Sequence, residues 1–125
     1  LSEGSEIVHT NLRERFSRGD PDVVRAMQRF AEITVEAKQA LAEGNFKRLS
    51  ELMNENFDLR ASIVPLRQAD LRLVHTGRRV GASSKFAGSG GAVIGTYDGT
   101  PEMLQKLIDA YKEIGAEVIV PKVIK

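Results

Sequence analysis

The chain has 125 residues, 42% of them hydrophobic, which suits one compact domain with its own apolar core. Its 18 lysines and arginines balance 17 aspartates and glutamates, and only 6% of residues are aromatic. This balance excludes the basic surface that nucleic-acid binders and proteins on anionic membranes carry, so we expect neither partner. Because the chain has no cysteine, disulfides, thiolate catalysis and cysteine-based zinc sites are excluded.

Metal sites, membrane spans and targeting segments find little support in the sequence. The two histidines, His9 and His75, lie far apart, so we expect no metal held by the chain alone. No apolar run approaches the roughly 20 residues of a membrane-spanning helix, and no signal peptide is visible. We therefore expect a cytoplasmic protein. The chain begins at Leu1 rather than Met, from which we expect it to be a piece of a longer protein.

Two helices are predicted in the first third of the chain. Residues 8–19 predict a short helix that Gly19 closes. Asp20 can then cap a long helix, Pro21 suits its first position, and Gly44 ends it. The positions expected to face the core, at spacings of three and four, are Val23, Met27, Phe30, Thr34, Ala37 and Leu41, widened by Val24, Ile33 and Ala40.

Two more helices are predicted in the middle of the chain. Asn45 can cap the first of them, and Pro65 ends it. Residues 66–81 predict the second, which stops at Gly81. Gly77 lies inside this helix, where glycine costs about 1 kcal/mol relative to alanine. We therefore expect a conformational or close-packing reason for Gly77.

The last third of the chain changes to short strands around one helix. Residues 82–87 and "AVIGTY" (92–97) are expected to form strands. A turn at Asp98–Gly99 leads into a helix that starts at Thr100 to Glu102 and closes at Gly115. The segment "AEVIVPKVI" (116–124) is expected to be a last strand. The predicted fold is one α+β domain over residues 1–125, with several helices packed on a small antiparallel sheet.

The segment "GASSKFAGSGG", residues 81–91, is the first candidate for a functional loop. Consecutive glycines let backbone N–H groups converge on an anion, and Lys85 would add a positive charge. The Walker loop requires its lysine after the glycines and a helix to follow, whereas here the lysine precedes them and a strand follows. The dinucleotide-binding fingerprint requires a strand before its glycines and a helix after them, and here a strand follows. A flexible hairpin between two strands is the alternative interpretation.

Three segments carry a resemblance to the GHMP kinase superfamily, which includes galactokinase, homoserine kinase and mevalonate kinase. The segment "KFAGSGGAVIG" (85–95) resembles its third signature motif, a loop between two strands that supports substrate phosphates. The segment "LSELMNENFDLR" (49–60) resembles its substrate-facing helix with Leu-Met-x-x-Asn. With "VHTNLRERFSRGDP" (8–21) included, the chain is most similar to the glucuronokinase branch, along essentially its whole length.

This resemblance implies a ferredoxin-like C-terminal domain of an ATP-dependent sugar-1-kinase, which transfers the γ-phosphate of ATP to the anomeric oxygen of glucuronate. It also implies that ATP and Mg²⁺ are bound mainly by an N-terminal kinase domain of the same protein. The glycine/serine nucleotide loop and the catalytic Asp and Lys of that domain do not occur in this chain, so we expect the chain alone to be inactive. Ala87 stands where the family usually has Thr, which removes a hydroxyl group near the phosphates.

The resemblance also implies site residues. The backbone N–H groups of Gly88, Ser89, Gly90 and Gly91 are candidates for phosphate contacts, with Lys85 as a nearby charge. The alternative for Lys85 is a strand lysine that points to solvent.

The candidates for sugar binding are Asn56, Arg60 and His9. Asn56 and Arg60 lie four residues apart and so share a helix face. Arg60 could grip the uronate carboxylate with two parallel hydrogen bonds. The alternative for Arg60 is an ion pair on its own helix, and the alternative for His9 is helix packing. The acids within reach of such an ion pair are Glu51, Glu55 and Asp58.

Two other functions remain open at this point. The chain could serve a kinase of the same superfamily that acts on another sugar or on a small alcohol. It could also be a non-catalytic ligand-binding or dimerisation module in which residues 81–91 form a plain hairpin.

Overall fold

A computed structural model describes residues 12–87 and 91–121 of the chain. It confirms the α+β class, because a set of helices packs against a small antiparallel sheet. The elements in chain order are α1 (residues 12–17), α2 (Pro21–Glu43), α3 (Phe46–Ile63), α4 (Gln68–Val80), β1 (Lys85–Phe86), β2 (Val93–Ile94) and α5 (Pro101–Glu113).

The predicted helix boundaries are confirmed by the caps. The Asp20 side chain accepts hydrogen bonds from the backbone N–H groups of residues 22 and 23, at the start of α2. Gly44 ends α2 in the left-handed conformation with φ of 70°, and the Asn45 side chain then accepts from the Arg48 N–H to start α3. Residues 12–17 of the predicted first helix are helical, and residues 8–11 lie outside the described residues.

The core-facing stripe of α2 differs from the prediction. The residues buried there are Val23, Ala26, Ile33 and Ala40. Thr34 and Leu41, both predicted to face inward, are exposed, Leu41 by 60%. Val23, Ile33 and Ala40 were predicted to face the core, whereas Ala26, on the face that packs with Ile63 of α3, was not. Small side chains let two helices approach closely, so that face is the one that becomes buried.

The small sheet is a hairpin that packs on the helices. β1 and β2 are antiparallel, with Lys85 opposite Ile94 and Phe86 opposite Val93. Both strands are shorter than predicted, with two residues each. Phe86 is 3% exposed and packs with Phe57 of α3 and Val74 of α4. The hairpin is therefore fixed to the layer that α3 and α4 form.

The predicted last strand is wrong in its described part. Residues 116–121 have no regular secondary structure, and residues 122–124 lie outside the described residues. Val118 packs on the cluster that α5 forms with the end of α4, whereas Ile119 is 77% exposed. Apolar residues of this segment thus pack on a helix, without a ladder partner among the described residues.

A helix that crosses a membrane needs about 20 predominantly apolar residues. None of the described helices between residues 12 and 121 is both long enough and apolar enough to cross a membrane.

Candidate functional site

The glycine-rich segment is the tip of the hairpin between β1 and β2. Beyond the strand pairs, the Ala87 N–H donates to the Ala92 carbonyl at 3.1 Å, so residues 88–91 form the connection. Gly91 has a φ of 82°, a conformation that favours glycine. Gly88, Ser89 and Gly90 lie outside the described residues. The predicted position of the loop between two strands is confirmed.

Asn54 holds the start of the hairpin on α3. Its side-chain oxygen accepts hydrogen bonds from the Ser84 N–H at 2.9 Å and from Nε of Arg78 at 3.1 Å. Arg78 also donates to the Asn54 backbone carbonyl at 2.8 Å and to the Asp58 carboxylate at 2.8 Å. One amide side chain thus joins α3, α4 and the residue that precedes β1.

A group of three hydroxyls holds the two sides of the hairpin together at its base. The Thr96 hydroxyl lies 2.6 Å from the Ser83 hydroxyl and 2.6 Å from the Ser50 hydroxyl of α3. The Ser83 N–H also donates to the Thr96 carbonyl at 2.9 Å. Gly95 permits this close approach, because a Cβ at this position would lie 1.9 Å from the Ser83 carbonyl oxygen.

Asp70 contacts the far end of the glycine-rich segment. It lies in the first turn of α4 and is 4% exposed. Its Oδ1 accepts a hydrogen bond from the Gly91 N–H at 3.0 Å, and both of its oxygens accept from the Arg67 guanidinium at 2.9 and 3.1 Å. The hydrogen bond from Arg67, helped by that from Gly91, holds the pKa of the Asp70 carboxyl below its usual range.

Arg60 lies beside the hairpin. Its guanidinium carbon is 4.9 Å from the centroid of the Phe86 ring, close enough for a cation–π contact. The Phe86 ring in turn meets the Phe57 ring edge to face at 5.2 Å. Partial burial lowers the pKa of Arg60, and the charge of Asp70 opposes that shift. Arg60 remains cationic, because an arginine pKa is far above neutral pH.

The alternative prediction for Arg60 was an ion pair with an acid on its own helix. The three acids in question each bind another arginine. Glu51 pairs with Arg48, Glu55 with Arg29 and Asp58 with Arg78. The described contacts of Arg60 are with the Phe86 ring of β1 and with the charge of Asp70.

The other predicted site residues are distributed as follows. Lys85 is half-buried, and its ammonium group donates to the Phe86 carbonyl at 3.1 Å, so it does not simply point to solvent. Asn56 is half-buried on α3, one turn before Arg60. His9 lies outside the described residues. Of the described site residues, Lys85 and Gly91 lie on the hairpin itself, and Arg60 contacts it through the Phe86 ring.

Sequence reasoning missed Asn54 and Asp70, the two polar residues that hold the hairpin. Asn54 lies two positions before the Asn56 that the family motif singles out. An acid in the first turn of a helix is a common feature that stabilises the helix itself, so Asp70 had no distinguishing signal. Only the packing of α4 against the loop reveals its second partner.

The charges around the hairpin suit an anion better than a metal ion. Arg60 and Lys85 are cations at the described part of the hairpin, and Asp70 is already paired with Arg67 and with the Gly91 N–H. Between residues 12 and 121, as far as they are described, no three acidic or histidine side chains come together to hold a metal ion. The described charges at the hairpin are therefore mainly positive.

Comparisons with known proteins agree with this geometry. The chain is 34% identical over 111 residues to a probable glucuronokinase 2 and to glucuronokinase 1, both of Arabidopsis thaliana. The alignments cover 86% of the chain but only 30% and 31% of these relatives. No family model matches the sequence.

Among solved structures, L. major mevalonate kinase in complex with R-mevalonate matches with a TM-score of 0.76. That match covers 87% of the chain and 34% of the mevalonate kinase, at 22% identity, and so concerns the fold. The predicted resemblance is confirmed: the chain has the fold of a domain of a GHMP kinase and is similar in sequence to part of the glucuronokinases.

Proposed function

We propose that the chain is the C-terminal domain of an ATP-dependent sugar-1-kinase that transfers the γ-phosphate of ATP to the anomeric oxygen of glucuronate. One observation carries this proposal. A glycine-rich hairpin is fixed to α3 and α4 with Arg60 beside it, in a chain whose sequence relatives are glucuronokinases. The chain spans about a third of those relatives, so the rest of the activity requires a further domain.

The hairpin would contribute to phosphoryl transfer by positioning and charge. Such reactions need little covalent chemistry from the protein and much neutralisation of phosphate charge. In our proposal the N–H groups of residues 88–90 face the phosphates, and Lys85 adds a cation at the strand that leads into them. The Gly91 N–H, also predicted as a phosphate contact, donates to Asp70 instead. ATP and Mg²⁺ would be held mainly by the N-terminal domain, where Mg²⁺ would neutralise phosphate charge.

The sugar would contact α3. Asn56 and Arg60 share one face of this helix, four residues apart. An arginine can bind a carboxylate through two parallel hydrogen bonds, which suits a uronate and gives no comparable gain with a neutral sugar. The half-buried position of Arg60, next to Phe86 at the hairpin, supports this role. His9 stays a candidate for a further contact.

A kinase acting on another sugar or on a small alcohol is the second candidate, favoured by the fold shared with a mevalonate kinase. The non-catalytic module remains as the outcome if no phosphoryl transfer is found.

The experiment is a kinase assay on the full-length protein, with ATP, Mg²⁺ and a panel of glucuronate, galacturonate, galactose, glucose and mevalonate. ADP release with glucuronate alone is expected. Arg60→Ala should raise the KM for glucuronate about 10- to 100-fold, since an interaction with a charged group contributes about 1.5–3 kcal/mol, and leave the KM for ATP unchanged. Turnover restricted to a neutral sugar or to mevalonate would contradict the glucuronate assignment.

The matched control is Arg48→Ala. Arg48 lies on α3 as well but pairs with Glu36 and Glu51 toward α2, away from the hairpin. It should leave both KM values within about twofold, because exposed ion pairs contribute little. Equal effects of Arg60→Ala on the KM values for ATP and glucuronate would show that Arg60 does not recognise the carboxylate.

A further inference from the structure

We infer that Asp70 is a positioning residue for the glycine-rich loop, and that it fixes the orientation of the Gly91 N–H through Oδ1. The inference concerns a contact of α4 that the family motifs do not include. It rests on the proposed function only for its effect on turnover, because the contact itself can be tested without any substrate.

The first step is the burial of the Asp70 carboxylate. Its side chain is 6% exposed, whereas that of its ion-pair partner Arg67 is 53% exposed. An exposed arginine could pair equally well with an acid at the surface, so the ion pair alone does not explain why Asp70 points inward. A buried carboxylate is costly unless hydrogen bonds satisfy its oxygens. The inward contact is the hydrogen bond from Gly91.

The second step is the conformation of the loop at Gly91. With a φ of 82°, the Gly91 backbone lies in a region that glycine enters freely and leaves as easily. A glycine keeps one backbone orientation only when a contact with another part of the chain restrains it. Asp70 provides that restraint across 21 residues of sequence, at 3.0 Å.

The third step is the charge near the loop tip. A carboxylate beneath a phosphate-binding loop would repel the ligand if it stood alone. Arg67 binds both of its oxygens, and the positive charge of Arg60 also favours the ionised carboxylate. The two cations offset the single anion, so Asp70 can orient the loop while the region stays positive overall.

The test combines hydrogen exchange at the Gly91 amide with kinetics of the full-length protein. Asp70→Ala removes the acceptor, and Asp70→Asn keeps an oxygen but makes it neutral. Since hydrogen bonds to charged groups are about twice as strong as neutral ones, we expect Gly91 exchange to rise in the order wild type, Asn variant, Ala variant. The rise for the Ala variant should be about 10- to 100-fold, with amides of α2 unchanged.

In the kinase assay we expect Asp70→Ala to lower kcat/KM by about 10- to 100-fold and Asp70→Asn by less. Arg67→Gln is the matched control, because it removes the ion pair and leaves the Gly91 contact in place. It should change Gly91 exchange by less than about threefold, because the acceptor Oδ1 keeps its charge.

Unchanged Gly91 exchange in Asp70→Ala, or an equal rise in Gly91 and α2 exchange, would overturn the inference. If the Ala variant does not fold, the test becomes a comparison of Gly91 exchange between Asp70→Asn and Arg67→Gln. A larger rise in Gly91 exchange for the Asn variant supports the inference, and equal values overturn it. A wild-type protein inactive on every substrate would instead refute the proposed function, and the exchange data would still decide on Asp70.

Discussion

The hydroxyl group of Tyr111 determines whether a Gly77→Ala substitution stabilises or destabilises the fold. In an ordinary helix interior, Gly→Ala stabilises by about 1 kcal/mol. At position 77 a Cβ would lie 2.6 Å from the Tyr111 hydroxyl, which donates to the Leu73 carbonyl at 2.8 Å. Tyr111 is 8% exposed and cannot move aside freely. We therefore expect Gly77→Ala to be destabilising.

The magnitude follows from three contributions. Displacing the phenol group from its packed position costs about 1–3 kcal/mol. Losing its hydrogen bond costs about 1 kcal/mol more. The helix preference for alanine returns about 1 kcal/mol. The net destabilisation is therefore about 1–3 kcal/mol, which lowers the urea midpoint by roughly 1 M.

Removing the hydroxyl reverses the result. In a Tyr111→Phe background the nearest atoms to the new Cβ are the ring Cζ of residue 111 and Cβ of Ser84, both at 3.6 Å, an ordinary contact distance. Gly77→Ala should then stabilise by about 1 kcal/mol. The assay is equilibrium urea unfolding of the four proteins of this double-mutant cycle, followed by circular dichroism. Effects of the same sign in both backgrounds would refute the reasoning.

Three further predictions concern the anchors of the hairpin. Gly95→Ala should destabilise by more than about 3 kcal/mol in the same urea assay, because the new Cβ meets the backbone of Ser83, which cannot rotate away. Asn54→Leu should lower the free energy of unfolding by about 1–3 kcal/mol, since it leaves the buried Ser84 N–H without its acceptor. Asp70 stabilises the fold above its unfolded pKa of about 3.9, and this contribution is lost as the pH falls through its lower folded pKa. The gap in urea midpoint between wild type and Asp70→Asn should therefore narrow from pH 5 to pH 2.

The first two of these predictions each have a control variant, and the third has an outcome that would contradict it. Gly99→Ala places a Cβ in open space at a φ of 81°, so it should cost only the left-handed strain of about 1–2 kcal/mol. Asn56→Leu, two residues from Asn54, should change the KM for the sugar more than the stability. A gap between wild type and Asp70→Asn that is constant over pH 2 to 5 would contradict the linkage argument.

The helix ends were predictable because their signals are local. Asp20, Gly44 and Asn45 act on backbone groups within a few residues of themselves, so the sequence around each is sufficient. The prediction of a close-packing reason for Gly77 is also confirmed. Its partner, Tyr111 of α5, was not predictable, because spacing within one helix does not say which other helix faces it.

The anchors of the site were less predictable because their partners are distant in sequence. In the sequence, Asp70 has the position of an acid that stabilises the start of a helix. Only the folded chain brings Gly91 to it. One buried residue of α2 was missed for a related reason. Ala26 is buried because it packs with Ile63 at the end of α3, a contact that hydrophobicity within α2 does not indicate. The last strand was predicted from the apolar segment "AEVIVPKVI", and such a segment can also pack on α5 without forming a strand.

The short ladder of the hairpin has a consequence for how the chain folds. Two residues per strand cannot hold a hairpin together in water, and here β1 and β2 depend on α3 and α4 for their place. The helices must therefore associate before the strands gain anything from pairing. We expect substitutions in the hairpin to speed unfolding and to leave the folding rate almost unchanged, which is the pattern of an element that forms after the transition state. The part of the chain closest to the proposed chemistry would thus be the last to take its native form.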